Sequence, residues 1–192
     1  MLQMMIDIAS GVEYLHEKGI AHGNIQGVNI LVDDDLNCLI GGFYHSSLAI
    51  SAEASEREKH GLVERMAMWY SPEVIRSAVR YTSQGDVYSF AIVRAEILTE
   101  GAPFSPDPLD PSESPLLRLL DRMLSVVRRE DQRPVLPRTA LLDGGLKDVI
   151  DACWAEAPEA RPTSGEARNM LRDVWDKLGY DDAEWGERVL DF

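Results

Sequence analysis

Cysteine is scarce in this 192-residue chain: there are two, Cys38 and Cys153, each inside an apolar stretch. Two isolated thiols build no disulfide framework, so they read as buried free cysteines of a reducing compartment. Cations are few as well. Nineteen Lys and Arg stand against 33 Asp and Glu, a formal net charge of −14. That balance repels a phosphate backbone and an anionic bilayer alike, and sets aside nucleic acid and membrane as expected partners. Long apolar runs are missing: nothing approaches the roughly 20 residues of a membrane span. The opening MLQMMIDIAS has neither the basic region nor the small-residue cleavage site of a secretory leader. There is no internal repeat, no low-complexity tract and no Asn-x-Ser/Thr acceptor, and with the free thiols this leads us to expect a cytoplasmic protein. What remains is ordinary globular arithmetic for one domain: 45% hydrophobic, 27% charged, 14 Gly and 10 Pro.

Periodicity predicts a mainly α fold. Met5, Ile8, Ala9, Val12 and Leu15 recur at steps of three and four between Leu2 and Lys18, with Gly19 placed as a left-handed cap. The chain enters this helix with no capping residue and no preceding element over its apolar face, so a segment upstream is expected. Residues 29–32 and 38–40 are short apolar runs on either side of Asp33-Asp34-Asp35-Leu36-Asn37 and predict a hairpin. Asp33, Asp35 and Asn37 imitate the start of a calcium loop. The imitation fails at position six, where Cys38 replaces the necessary Gly, and at position twelve, where Tyr44 replaces a bidentate Glu. Residues 44–68 predict a long polar surface loop whose Ser46, Ser47, Ser51 and Ser55 are candidate phosphorylation sites. Behind a turn-like Thr82-Ser83-Gln84-Gly85, residues 87–98 are apolar nearly all round, the pattern of a helix buried at a domain's centre. A proline-rich loop (103–115), a helix (116–127), an extended connector (133–137) and helices over 146–154 and 165–178 complete the chain before an acidic tail. His16, His45 and His60 have no ligand-like spacing, so no zinc site is expected.

Several motifs stand in order along this frame. They are Ala21-His22-Gly23-Asn24-Ile25-Gln26-Gly27-Val28-Asn29-Ile30-Leu31, then Gly42-Phe43-Tyr44, Trp69-Tyr70-Ser71-Pro72-Glu73, and Asp86-Val87-Tyr88-Ser89-Phe90. Cys153-Trp154 and Glu159-Ala160-Arg161-Pro162 follow. Their order and spacing resemble the large, C-terminal lobe of a eukaryotic protein kinase, in the flavour of the tyrosine-kinase-like group. The resemblance covers residues 1–178 as a kinase-like large lobe and leaves 179–192 as an acidic tail. It implies helices around a buried central helix with a small β-hairpin and no small lobe, since the chain contains no Gly-x-Gly-x-x-Gly.

The resemblance also shows what is gone. Where the family has the Asp that orients the substrate hydroxyl, this chain has Asn24; where it has the phosphate-steadying Lys, Gln26. Asn29 alone matches a Mg²⁺ ligand, and the principal metal-binding Asp is replaced by Gly42. Gly23 stands where many regulated kinases carry the Arg that receives a phosphorylated activation segment. The structural fittings are kept. Glu73 and Arg161 match a buried ion pair, Asp86 the residue that opens the central helix and holds the catalytic loop, and His22 and Phe43 two members of a stacked spine. Leu31, with Val93 and Ile97, matches the column beneath an adenine. The implied protein is a pseudokinase lobe acting as a protein-interaction or regulatory module in phosphorylation signalling. It binds a protein partner, such as an active kinase or its substrate, with no cofactor and no metal. The alternative is one part of an ATP-dependent Ser/Thr or Tyr kinase whose small lobe lies upstream or on another chain, with ATP and Mg²⁺ as cofactors.

Overall fold

The computed structural model describes residues 1–48, 68–77, 81–101, 103–104, 121, 124–125, 133–139 and 141–180. Among them the chain is mainly helical with short antiparallel strands: α1 Leu2–Glu17, β1 Ile20–Ala21, β2 Ile30–Val32, β3 Cys38–Ile40, β4 Ser47–Leu48, α2 Pro72–Ser77, α3 Ser83–Thr99, α4 Lys147–Cys153 and α5 Ser164–Lys177. Short 3₁₀ turns lie over Gly27–Asn29, Phe43–His45 and Pro158–Ala160. Most of the proline-rich loop, most of residues 116–127, the loop serines Ser51 and Ser55, and the tail from 181 lie outside the described residues.

Helix α3 is the axis of the fold. Every residue from Gly85 to Ala95 is buried, as a helix apolar on all sides must be if its burial is to offset its ordering. Thr82 caps it, its hydroxyl accepting from the Gly85 N–H, so the residues that read as a turn are the cap and first turn of the helix. Polar residues that favour turns also favour helix N-termini, and sequence pattern alone does not separate the two. The helix is not wholly apolar, however: Arg94 sits on it with no exposure at all.

Around this axis α1 turns Met5, Ile8, Ala9 and Val12 inward and packs along α5, with Glu13 and Arg168 paired across the contact. Gly11 costs α1 about 1 kcal/mol of helix propensity, and the reason is a close approach. A Cβ there would meet Ile40 Cδ1 at 2.8 Å, so the glycine lets β3 lie against the helix. The predicted Gly19 cap forms at φ +71°. Helix α5 opens with a capping box between Thr163 and Glu166.

The hairpin forms as expected, with Leu31 opposite Leu39 and Val32 opposite Cys38. A second strand pair was not foreseen: Ile20 faces Leu48 and Ala21 faces Ser47, so the polar segment after Tyr44 begins as structure rather than as loop. Two-residue strands carry no readable alternation, which is why periodicity missed them. A wide helical turn over Leu142–Leu146, with Gly145 at φ +107°, precedes α4 and buries Leu142 and Leu146. Both cysteines are buried free thiols, and burial, with help from the Asp7 charge, pushes Cys38 up to about 11. No helix of the described residues is long and apolar enough to cross a membrane.

Candidate functional site

The site is assembled on one carboxylate. Asp86, in the first turn of α3 and 2% exposed, accepts the His22 N–H at 2.7 Å, the Gly23 N–H at 2.8 Å and His16 Nε2 at 3.0 Å. His16 in turn meets Ser164 Oγ at 2.9 Å through Nδ1, so α1, α3, α5 and the loop after β1 share one buried network. His22 is fully buried. Its Nδ1 accepts from the Asn24 N–H at 3.2 Å, leaving Nε2 to donate to the Gly41 carbonyl at 2.9 Å. Phe43 lies edge-on to the His22 ring, centroids 5.0 Å apart, so the two rings touch.

Asn24, Gln26, Asn29 and Gly42 lie close together, and the three amides are hydrogen-bonded. Gln26 Nε2 donates to Asn24 Oδ1 at 2.7 Å, and Asn29 Nδ2 donates to the Asn24 carbonyl at 2.8 Å. Gly42 takes φ +77°, and a Cβ there would fall 2.3 Å from Asn29 Oδ1. Gly23 takes φ +73°, and its Cβ would fall 2.6 Å from the ring of Tyr81, whose hydroxyl is 2.9 Å from that of Tyr70. At both glycines, a neighbouring side chain occupies the room a larger residue would need. Burial, helped by Tyr81, raises the Tyr70 phenol far above its ordinary value.

This donor set does not fit a magnesium ion. Mg²⁺ is held through carboxylates in near-octahedral oxygen geometry, and here positions 24, 29 and 42 supply two neutral amides and a hydrogen atom. One amide oxygen is taken by Gln26. Among the described residues no cluster of three His, Cys, Asp or Glu side chains could hold a metal. Asn24 has no basic group with which to take a proton from a hydroxyl.

Arg161 forms a bidentate pair with Glu73, at 2.7 and 2.8 Å, and also donates to the carbonyls of Gln84, Ala155 and Glu156. Burial alone would raise the Glu73 carboxyl, but the Arg161 hydrogen bonds and charge help to hold it below its ordinary value. This pair lies at the junction of α2, α3 and the Pro158–Ala160 turn. Leu31 is 56% exposed on the hairpin, while Val93 is buried in α3.

Two residues escaped the sequence reading. Glu96 accepts from the Trp69 indole at 2.6 Å and the Gly27 N–H at 3.1 Å, tying the catalytic-loop region and the Trp69 segment to α3; burial raises its carboxyl. Arg94 lies 3.8 Å over the Phe90 ring with Nη1 at 3.9 Å from Cys153 Sγ, while Nε and Nη2 have no hydrogen-bond partner among the described residues. A charge inside an otherwise apolar helical run was the available signal for both.

Comparison with known proteins agrees with the motifs. The family described as protein tyrosine and serine/threonine kinase matches residues 1–171. The chain is similar to serine/threonine/tyrosine-protein kinase HT1 of Arabidopsis thaliana, 32% identical over 161 residues that cover 84% of this chain and 36% of that protein. It is also similar to the dual specificity protein kinase shkD of Dictyostelium discoideum, 29% identical over 98% of this chain and 24% of the other. Retinal guanylyl cyclase 2 of Mus musculus is 31% identical over 88% of this chain and 14% of its own length. The chain therefore spans between about one seventh and about one third of these relatives. With a kinase scaffold in place and a profile matched along nearly the whole sequence, the chain belongs to the protein tyrosine and serine/threonine kinase family.

Proposed function

We propose that this chain is a pseudokinase large lobe of the tyrosine-kinase-like group that works as a protein-interaction or regulatory module in phosphorylation signalling. One observation carries the reading. The side chains at the catalytic positions satisfy one another, Gln26 to Asn24 and Asn29 to the Asn24 backbone, while Asp86, Glu73 and Arg161 keep the scaffold. Loss of a general base alone costs about 10²–10⁴ in rate, and here the phosphate-steadying cation and the metal carboxylate are replaced as well. Similarity to retinal guanylyl cyclases, named for a reaction other than protein phosphorylation, supports a lobe serving as a module inside other proteins.

The partner's chemistry follows from the hairpin side of the molecule. Leu31 and Leu39, directly paired and 56% and 52% exposed, share one face beside Asp33, Asp34 and Asp35. No Lys or Arg occurs between residues 19 and 56. A protein surface that is apolar with a basic rim suits this face, as an active kinase or its substrate would supply; a cytoplasmic setting goes with it.

A second reading rests on the short span of the match. The chain would then be one part of an ATP-dependent kinase, Ser/Thr or Tyr, whose small lobe lies upstream or on another polypeptide and supplies the ATP site. The test is transfer of labelled phosphate by the protein as isolated from its cells, alongside its intact mass. No labelling, with partner capture unchanged in Asn24→Ala, supports the module. Labelling that Asn29→Ala abolishes, from a species larger than 21.5 kDa by about the 10 kDa of a small lobe, supports the kinase.

A further inference from the structure

Beside Gly23 the fold encloses a small cavity of about 10 Å³, whose walls include Gly23, Tyr70, Ser71, Tyr81, Asp86 and Ser89. Tyr81 closes one side, its ring 2.6 Å from where a Gly23 Cβ would stand and its hydroxyl 2.9 Å from that of Tyr70. One polar group on these walls is left over. Ser71 is 1% exposed, and its Oγ has no hydrogen-bond partner among the described residues. The hydroxyl helps to lower the nearby Glu73 carboxyl without reaching it in a well-formed hydrogen bond. It lies 3.4 Å from the point where a Cβ on Gly85, another wall residue, would stand. We infer that this cavity is a binding site for a single water molecule, held between the Ser71 hydroxyl and the Asp86 carboxylate and tying the Trp69–Glu73 segment to the first turn of α3. The inference rests on the geometry beside Gly23 and is independent of the proposed function.

Size and polarity both select water. A water molecule needs a space of about 10–15 Å³ and two to four polar partners, whereas cavities that stay empty are apolar. This one is just large enough for one water and too small for an organic ligand. Its walls carry hydroxyls and a carboxylate with capacity to spare. Asp86 Oδ2 accepts from His22 and His16, while Oδ1 accepts from Gly23 alone among the described residues, which leaves Oδ1 room for a second donor. Ser89 Oγ, by contrast, is already committed to the Trp69 carbonyl at 2.7 Å. A water that accepts the Ser71 proton and donates to Asp86 removes the penalty of a buried hydroxyl with no partner.

A high-resolution crystal structure of the full chain reads the site directly. Density for one ordered water within hydrogen-bond distance of both Ser71 Oγ and Asp86 is the expected result. An empty cavity, or a Ser71 hydroxyl turned onto Glu73 with no water beside it, overturns the proposal. Thermal melting supplies an independent arm with Ser71→Ala, made both in the wild type and in Glu73→Gln, where any direct contribution of Ser71 to the Glu73 carboxylate is removed. Loss of a satisfied hydroxyl lowers the melting temperature by about 2–4 °C in each background. A melting temperature unchanged or raised in the Glu73→Gln background overturns the water, because removing a hydroxyl that has no partner carries no such loss. If Glu73→Gln does not fold, the crystal structure decides. Neither arm involves phosphate transfer or a partner, so failure here is distinct from failure of the pseudokinase reading.

Discussion

Arg94 is the residue at which packing and charge disagree most. Its guanidinium is fully buried on the central helix, two of its three nitrogens lack a hydrogen-bond partner among the described residues, and burial lowers its pKa against a raising contribution from Cys153. A buried cation without a carboxylate is poorly compensated, and apolar replacements of similar volume at buried ionic sites often stabilise by about 1–4 kcal/mol. Arg94→Met is therefore expected to raise the urea midpoint, and a lower midpoint would show that the cation is needed where it lies. Gly23 makes the opposite prediction. With φ +73° and the Tyr81 ring 2.6 Å from a Cβ, Gly23→Arg should cost more than about 2 kcal/mol. Chemical denaturation of the single variant, and of Gly23→Arg with Tyr81→Ala, separates backbone strain from collision: partial rescue by the second substitution is expected. Each glycine was visible in the sequence as a departure from the family. That Tyr81 and Asn29 fill the space was not visible, because they lie 58 and 13 residues away along the chain and meet the glycines only after folding.

At the scale of elements, two carboxylates stitch segments to the core and titrate in opposite senses. Glu73 joins α2 to the Arg161 turn, and truncating one partner of such a pair typically costs about 3–5 kcal/mol, the range expected for Glu73→Ala. Its folded pKa lies below the ordinary 4.5, so its contribution is complete above that value and is lost as pH falls through the depressed one. Glu96 joins α3 to Gly27 and Trp69, and burial raises its folded pKa above 4.5. Its contribution is complete below 4.5 and is lost as pH rises through the raised value. Melting followed from neutral pH downward should show Glu96→Gln removing part of the stability gained on acidification towards 4.5, and Glu73→Gln removing part of the loss below it. The same slope in variant and wild type would remove the carboxylate from the account. The Glu73 and Arg161 pairing was legible in the motifs, since both residues have family counterparts. Glu96 was not, because its two partners come from distant loops and a lone acid in an apolar run does not say what it binds.

For the molecule as a whole, the question is whether nucleotide matters to its stability. A ligand present at 100 times its dissociation constant adds about 2.7 kcal/mol to the folded state, several degrees for a chain of this size. The lobe should melt at the same temperature with and without about 1 mM Mg²⁺-ATP, because the described site offers neutral amides where the phosphates and their cation need charge. A rise of several degrees would return ATP to the account. The sequence by itself determined the family, the mainly helical architecture, the buried central helix and the hairpin, since all of these rest on local periodicity or on residue identity at fixed spacing. Tertiary structure alone decided that Thr82 opens a helix rather than a turn, that β1 and β4 pair, and that Arg94 is buried with no carboxylate partner among the described residues. It also decided that Asn29 and Tyr81 close over the two glycines. For the last three the physical reason is common: each depends on which groups from distant parts of the chain compete for one volume or one hydrogen bond, and linear order does not carry that competition; the Thr82 cap is local, and its residues suit a turn as well as a helix start.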